Sequence, residues 1–166
     1  MKSKLIKGIL IFAIIFLNIG CDQISKNIVR KKVDYNANIT LIDNFLTLTK
    51  IENSGAFLSM GDSLPSLLKT LFLLILPIAA LLYGLIYVLT KSNLKASSVL
   101  AICCVIGGGI GNIYDRLLYG SVTDFLHMNF FIFQTGIFNM ADVSVMVGMF
   151  ILVYETIINQ KQLQGI

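Results

Sequence analysis

Leu17-Asn-Ile-Gly-Cys-Asp-Gln-Ile-Ser-Lys26 closes an apolar run led by lysines and admits two incompatible readings. Either Cys21 is the acceptor of a lipoprotein signal and everything before it is removed, or the run is a retained membrane helix with Asp22 at its end. The first reading calls for a domain outside the membrane downstream. The remainder of the chain is of another kind. Of the 166 residues 56% are hydrophobic and 13% charged, with a mean hydropathy of +0.82, whereas soluble domains lie near ~45–50% apolar. The box around Cys21 is also poor, because Asn18 holds the position three before the cysteine, where an aliphatic residue is usual. A retained helix is therefore expected.

Along the whole chain, four stretches approach the ~20 apolar residues needed to cross a bilayer: residues 5–21, 71–89, 96–114 and 138–158. They predict an all-α membrane protein, a four-transmembrane-helix bundle forming one domain over residues 1–166. Residues 38–51 (NITLIDNFLTLTKI) alternate in part between apolar and polar, the pattern of one or two strands against the membrane surface. Asn53-Ser-Gly55 reads as a turn, and residues 115–137, aromatic and polar by turns, read as an interfacial connection. Four helices place both termini on one side, with segments 22–70 and 115–137 on the other. Three lysines crowd the first seven residues and two the short 91–95 loop. Short segments carry most of the positive-inside signal, so the termini are expected to be cytoplasmic. The net charge of +4 forms no basic face with interleaved aromatics, which argues against nucleic acid as a partner. Cys103 and Cys104 are adjacent inside an apolar run and make neither a spaced disulfide framework nor a metal knuckle.

Acids near hydrocarbon are costly, on the order of 2.5–3.5 kcal/mol at a helix centre, so each one is a functional candidate. Asp142 opens the fourth helix, where free amides can stabilise its carboxylate, and its plain alternative role is to cap that helix. The third helix ends in Gly107-Gly-Gly-Ile-Gly-Asn112-Ile-Tyr-Asp115-Arg116. Gly107 and Gly111 fit the G-x-x-x-G spacing that lets membrane helices approach closely. Asn112 and Asp115 share a helical face at i and i+3, and Asn139 and Asp142 repeat the N-x-x-D spacing. Asp124 lies in the connection between those two helices, so Asp115, Asp124 and Asp142 can meet at one membrane face. Two carboxylates that share a site keep one proton between them: the charged one can activate water while the neutral one donates to a carbonyl. Asp115 is the weaker partner, since Arg116 and Asn112 beside it suggest a held, ionised acid. His127, the lone histidine, has no ligand cluster around it and no metal is expected. A Ser–Lys nucleophile drawn from Ser54, Ser59 and Lys69 stays open, though no motif points to it.

With these residues in view, the chain resembles the lipoprotein signal peptidases, the type II bacterial signal peptidase family of membrane aspartic peptidases. The resemblance runs from Asp22 to Asp142. Asp22-Gln23-x-x-Lys26 is similar to that family's D-Q-x-x-K, Asn53-x-Gly55-Ala56 to its N-x-G-A, and residues 107–116 to its G-G-x-x-G-N-x-x-D-R. Val122-x-Asp124-Phe125 is similar to its V-x-D-F and Phe138-Asn139-x-Ala141-Asp142 to its F-N-x-A-D. It implies that Asp124 and Asp142 are the catalytic pair. Asn53, Gly55, Asn112, Arg116 and Asn139 would position substrate and acids, and Asp22, Lys26 and Asp115 would support the architecture. It also implies a small extracytoplasmic sheet and interfacial helix between helices one and two. The substrates implied are diacylglyceryl-modified prelipoproteins, cut before the lipidated cysteine at the bacterial inner membrane, by a monomer in the lipid bilayer with no cofactor. The chain departs at Phe57, where a second small alanine commonly follows N-x-G-A, and the groove lining is expected to change there.

Two other classes compete with this reading. A proton-coupled exporter requires an acid near mid-helix and symmetric halves, and neither is present. A non-catalytic membrane protein leaves the repeated N-x-x-D pairs without a purpose.

Overall fold

The computed structural model describes residues 2–35, 37–56, 61 and 64–163. Phe57 and Ser59 lie outside the described residues; between the first helix and Ser66 the described residues hold strands and turns and no separate interfacial helix. Four helices are long and apolar enough to cross a membrane. They are α1 (Lys2–Lys32), α2 (Ser66–Thr90), α3 (Ala96–Tyr119) and α4 (Met140–Leu163).

α1 runs eleven residues past the expected end at 21. Nothing between Asp22 and Lys32 breaks a helix, Asp22 and Lys26 form an i,i+4 pair, and Arg30, Lys31 and Lys32 suit its negative C-terminal pole. α3 likewise continues beyond 114, to a C-cap at Gly120 with φ +75° whose amide donates to Arg116 O at 3.1 Å. Both extensions matter for function. They place Asp22, Lys26, Asp115 and Arg116 on rigid helices rather than in connecting segments.

α3 is the central element, and its glycines set the distances. A Cβ on Gly107 would lie 2.6 Å from Asn18 Cβ, and one on Gly111 2.5 Å from Asp22 Oδ2, so the G-x-x-x-G face receives α1. Gly108 meets the Ala141 carbonyl of α4, while Gly109 faces Leu81 of α2. Ile11, Ile15, Val88, Cys103 and Ile106 form the apolar cluster between α1, α2 and α3. Outward, Phe16, Tyr83 and Phe150 are largely exposed, as lipid-facing residues must be. At the far end Glu155 of α4 accepts hydrogen bonds from Ser97 and Ser98 of α3, locking those helices together.

α2 contains one wide turn, Leu71–Ile75, in which the Leu76 amide donates to Leu71 O five residues back. Pro77 supplies the reason: its ring lacks an N–H and crowds the carbonyl four residues earlier, which a π-type turn relieves.

The sheet is three-stranded and antiparallel in the order β1 (Ile39–Ile42), β2 (Leu46–Asn53), β3 (Val122–Met128). Its third strand comes from the α3–α4 connection, which the sequence pattern assigned to an interfacial linker. Ile51 pairs with Asp124, Glu52 with Thr123 and Asn53 with Val122. This register carries Asn53 and Asp124 to the mouth of the bundle. Lys50, buried in the sheet, donates to Arg30 O and Val33 O at 3.2 and 3.0 Å and so ties β2 to the C-terminal end of α1.

Candidate active site

Asn139 sits immediately before α4, and its side chain organises the site. Its Oδ1 accepts from the Asp142 amide at 3.0 Å, and its own amide donates to Asp142 Oδ2 at 3.1 Å. This is a reciprocal capping box with Asn and Asp in its two positions. Asp142 therefore does cap the helix, as the plain reading held, and its other oxygen is turned to a second task. Asp142 Oδ1 accepts from Asn112 Nδ2 at 2.8 Å.

Asp124 approaches from the sheet. Its Oδ1 accepts from Asn139 Nδ2 at 2.6 Å and its Oδ2 from Asn53 Nδ2 at 2.9 Å. Asn53 is itself held by a tight turn, with Oδ1 accepting from the Gly55 amide at 3.0 Å and Nδ2 donating to Ala56 O at 3.0 Å. One fully buried asparagine, Asn139, thus bonds both carboxylates. Burial pushes the Asp124 carboxyl up to about 6, and the nearby Asp142 charge adds to the rise against the opposing hydrogen bonds from Asn53 and Asn139.

Both acids line a cleft of about 240 Å³. Asn53, Asn112 and Arg116 form its polar wall, and Phe72, Leu73 and Pro77, carried by or next to the wide turn of α2, form its apolar wall. Arg116 Nη2 donates to Gly55 O at 2.9 Å, which fixes the guanidinium against the turn that holds Asn53. Ser54 and Lys69 line a separate cavity of about 250 Å³ beside Arg116.

Behind the cleft lies a buried ionic layer. Lys26, fully buried, reaches Asp22 Oδ2 at 2.8 Å, Asp115 Oδ2 at 3.2 Å and Asn112 Oδ1 at 2.9 Å. Arg30 pairs with Asp115 at 2.7 Å, so two cations answer two buried carboxylates. Asp115 is held in ion pairs as expected, but by Lys26 and Arg30 of α1 rather than by Arg116, whose guanidinium turns to Gly55. Asp22 also accepts from the Ala141 amide at 2.9 Å and so caps α4 from a different helix. Lys26 and Asp22 therefore set the orientation of Asn112 and the position of Asp142 without entering the cleft wall.

A comparison of the sequence with known families matches it, over residues 14–158, to the family described as Signal peptidase (SPase) II. The chain belongs to that family. It is a multi-pass membrane peptidase. The fold agrees with this: the structure of a bacterial membrane enzyme obtained by the in meso method at 2.3 Å resolution is similar with a TM-score of 0.83 and 25% identity, covering 92% of this chain and 90% of that one. A second bacterial membrane enzyme, obtained by the same method at 1.9 Å, gives 0.79 and 26%, covering 89% and 92%.

The structure joins Asn53, Asn112, Asp124, Asn139 and Asp142 in one hydrogen-bonded set and keeps Asp22, Lys26 and Asp115 behind it. Three participants are given no role in the sequence reading. Gln23 donates to Asp22, Asp115 and the Gly111 carbonyl. Arg30 Nε donates to Thr123 Oγ1 at 2.7 Å, and its guanidinium lies 4.1 Å from the Tyr119 ring centroid. Thr123, fully buried, also donates to Glu52. Asp22, Lys26 and Arg30 succeed one another at steps of four, a helical stripe that would have been legible had the first helix been extended past Cys21.

Proposed function

We propose that the chain is an aspartic endopeptidase in which Asp124 and Asp142 form the catalytic pair. The observation that carries this is Asn139 bonding both carboxylates where they line one cleft, one of them with its carboxyl raised to about 6 by burial. The raised acid, Asp124, holds the proton and donates it to the oxygen of the scissile carbonyl. Ionised Asp142 takes a proton from a water in the cleft, whose oxygen attacks the carbonyl carbon. The tetrahedral intermediate then collapses as the leaving nitrogen receives the proton from Asp142 and a hydroxyl proton returns to Asp124. Bound substrate and acids are positioned by Asn53, Asn112 and Arg116, and no metal enters the scheme.

The substrate that fits is a prelipoprotein whose cysteine carries a diacylglyceryl group, cut on the N-terminal side of that cysteine. A lipid-anchored peptide reaches the site laterally through the bilayer, and the apolar wall formed by Phe72, Leu73 and Pro77 suits such an approach. The lysine distribution supports cytoplasmic termini in the bacterial inner membrane, with the cleft near the outer face. The test is cleavage of a purified diacylglyceryl-prelipoprotein in detergent by wild type, Asp124→Asn and Asp142→Asn. Wild type should cut before the lipidated cysteine, and both variants should bind substrate and lose at least ~10³-fold in rate, the scale of a lost acid–base group. An Asp124→Asn variant that still cuts would remove the dyad assignment, and folded wild type that cuts nothing would remove the substrate.

A further inference from the structure

At the end of the bundle opposite the candidate active site, a groove of about 460 Å³ opens between the start of α1 and the end of α2. Lys4, Lys7, Gly8 and Ile11 form one side, and Leu89, Thr90, Lys91 and Ser92 the other. Lys4, Lys7, Gly8 and Ile11 have the i, i+3, i+4, i+7 spacing of a single helical face. Three cations, two from α1 and one from the residue that follows α2, therefore converge on one depression, whereas lysines that serve only to set topology have no need to converge. Lys7 is partly engaged, donating to Lys91 O at 2.5 Å and closing the groove at one edge. Among the described residues no carboxylate lies within salt-bridge distance of any of the three. The acid at this end of the bundle, Glu155, is taken up by Ser97 and Ser98.

The floor is apolar and open. Ile11 is fully buried beneath it and Leu89 stands at its rim. Nothing lies within 4 Å of where a Cβ on Gly8 would stand. The hydrophobic length of both helices begins or ends here, so the groove lies at the level of the lipid headgroups. Paired basic and apolar walls at that depth match a phosphodiester above and an acyl chain below.

We propose that this groove binds one anionic phospholipid, its headgroup phosphate between Lys4 and Lys91 and the start of an acyl chain over Gly8 and Ile11. The lipid belongs to the leaflet that holds the chain termini. It fills the space between α1 and α2 away from the catalytic cleft and does not depend on the peptidase assignment. The apolar floor selects a lipid over free phosphate, which would gain nothing from Gly8 and Ile11.

The experiment is native mass spectrometry of the full chain released from detergent, titrated with phosphatidylglycerol or with phosphatidylcholine. One phosphatidylglycerol should be retained at collision energies that strip phosphatidylcholine. Lys4→Gln/Lys91→Gln should weaken retention by on the order of 10-fold or more, from the loss of two interfacial cations. Gly8→Leu should do the same by filling the groove while every lysine stays. The control is Lys31→Gln/Lys32→Gln, which removes equal charge at the other end of α1 and should leave retention unchanged. Equal loss in the control, full retention in Gly8→Leu, or displacement of the lipid by millimolar inorganic phosphate would each overturn the proposal.

Discussion

Above pH 6 the buried Asp124 carboxyl costs the fold stability, and Asp124→Asn should remove that cost. Asp124 is 4% exposed, and its carboxyl moves from 3.8 to about 6 on folding. Below 3.8 folded and unfolded chains both hold the proton. As pH rises from 3.8 to about 6 the unfolded chain releases it while the folded chain keeps it, so stability falls across that window and levels off above it. Roughly two pH units at 1.36 kcal/mol each give a loss of ~3 kcal/mol between about pH 4 and pH 7.5. The variant adds a local defect, because its new amide N–H faces the Asn53 Nδ2 donor, at ~1 kcal/mol. That defect is independent of pH and cancels when each protein is compared with itself. The assay is thermal unfolding in a single detergent at a series of pH values, monitored by the fluorescence of the six tyrosines, which no tryptophan obscures. Other carboxyls contribute to both proteins and largely drop out of the difference. Wild type should lose on the order of 10 °C more than Asp124→Asn between about pH 4 and pH 7.5, at ~2–4 °C per kcal/mol for a chain of this size. Parallel curves for the two proteins would refute the claim that Asp124 is buried with a raised carboxyl.

Lys26→Met leaves Asp22 and Asp115 buried with Arg30 alone and should cost ~3–5 kcal/mol, read as a large fall in unfolding temperature; an unchanged value would show that the ionic layer is hydrated. Gly108→Ala drives a methyl group onto the Ala141 carbonyl, which is backbone and cannot swing away, so α3 and α4 must separate, at ~1–3 kcal/mol by the same measurement. In single-turnover cleavage the pH–rate profile should have two limbs. The alkaline one should fall at or above about 6, since substrate that excludes more water raises Asp124 further. A profile with one limb, with chemistry rate-limiting, would count against a shared proton.

Composition and spacing were enough to establish that this chain lives in a bilayer, that it crosses four times, and that Asn112, Asp115, Asn139 and Asp142 fall at one face of the membrane. Those properties are local: a residue's need to leave water and its helical phase depend on neighbours a few positions away. Helix ends were less legible, because Asp22-Gln-Ile-Ser-Lys26 is too polar to count as membrane yet carries no breaker to stop a helix. Only the packing shows that the polar turns of α1 are buried against α3, where Gly111 leaves room for Asp22. The bonds that build the site join residues far apart in the chain: Asn53 to Asp124 across 71 positions and Asp22 to the Ala141 amide across 119. No periodicity encodes such pairs. They arise from how closely the glycine faces of α3 let α1 and α4 approach, and from β3 leaving the α3–α4 connection to join the sheet. Residue order named the acids and their membrane face; three-dimensional packing selected which two share Asn139 and the cleft, and which two are locked against Lys26.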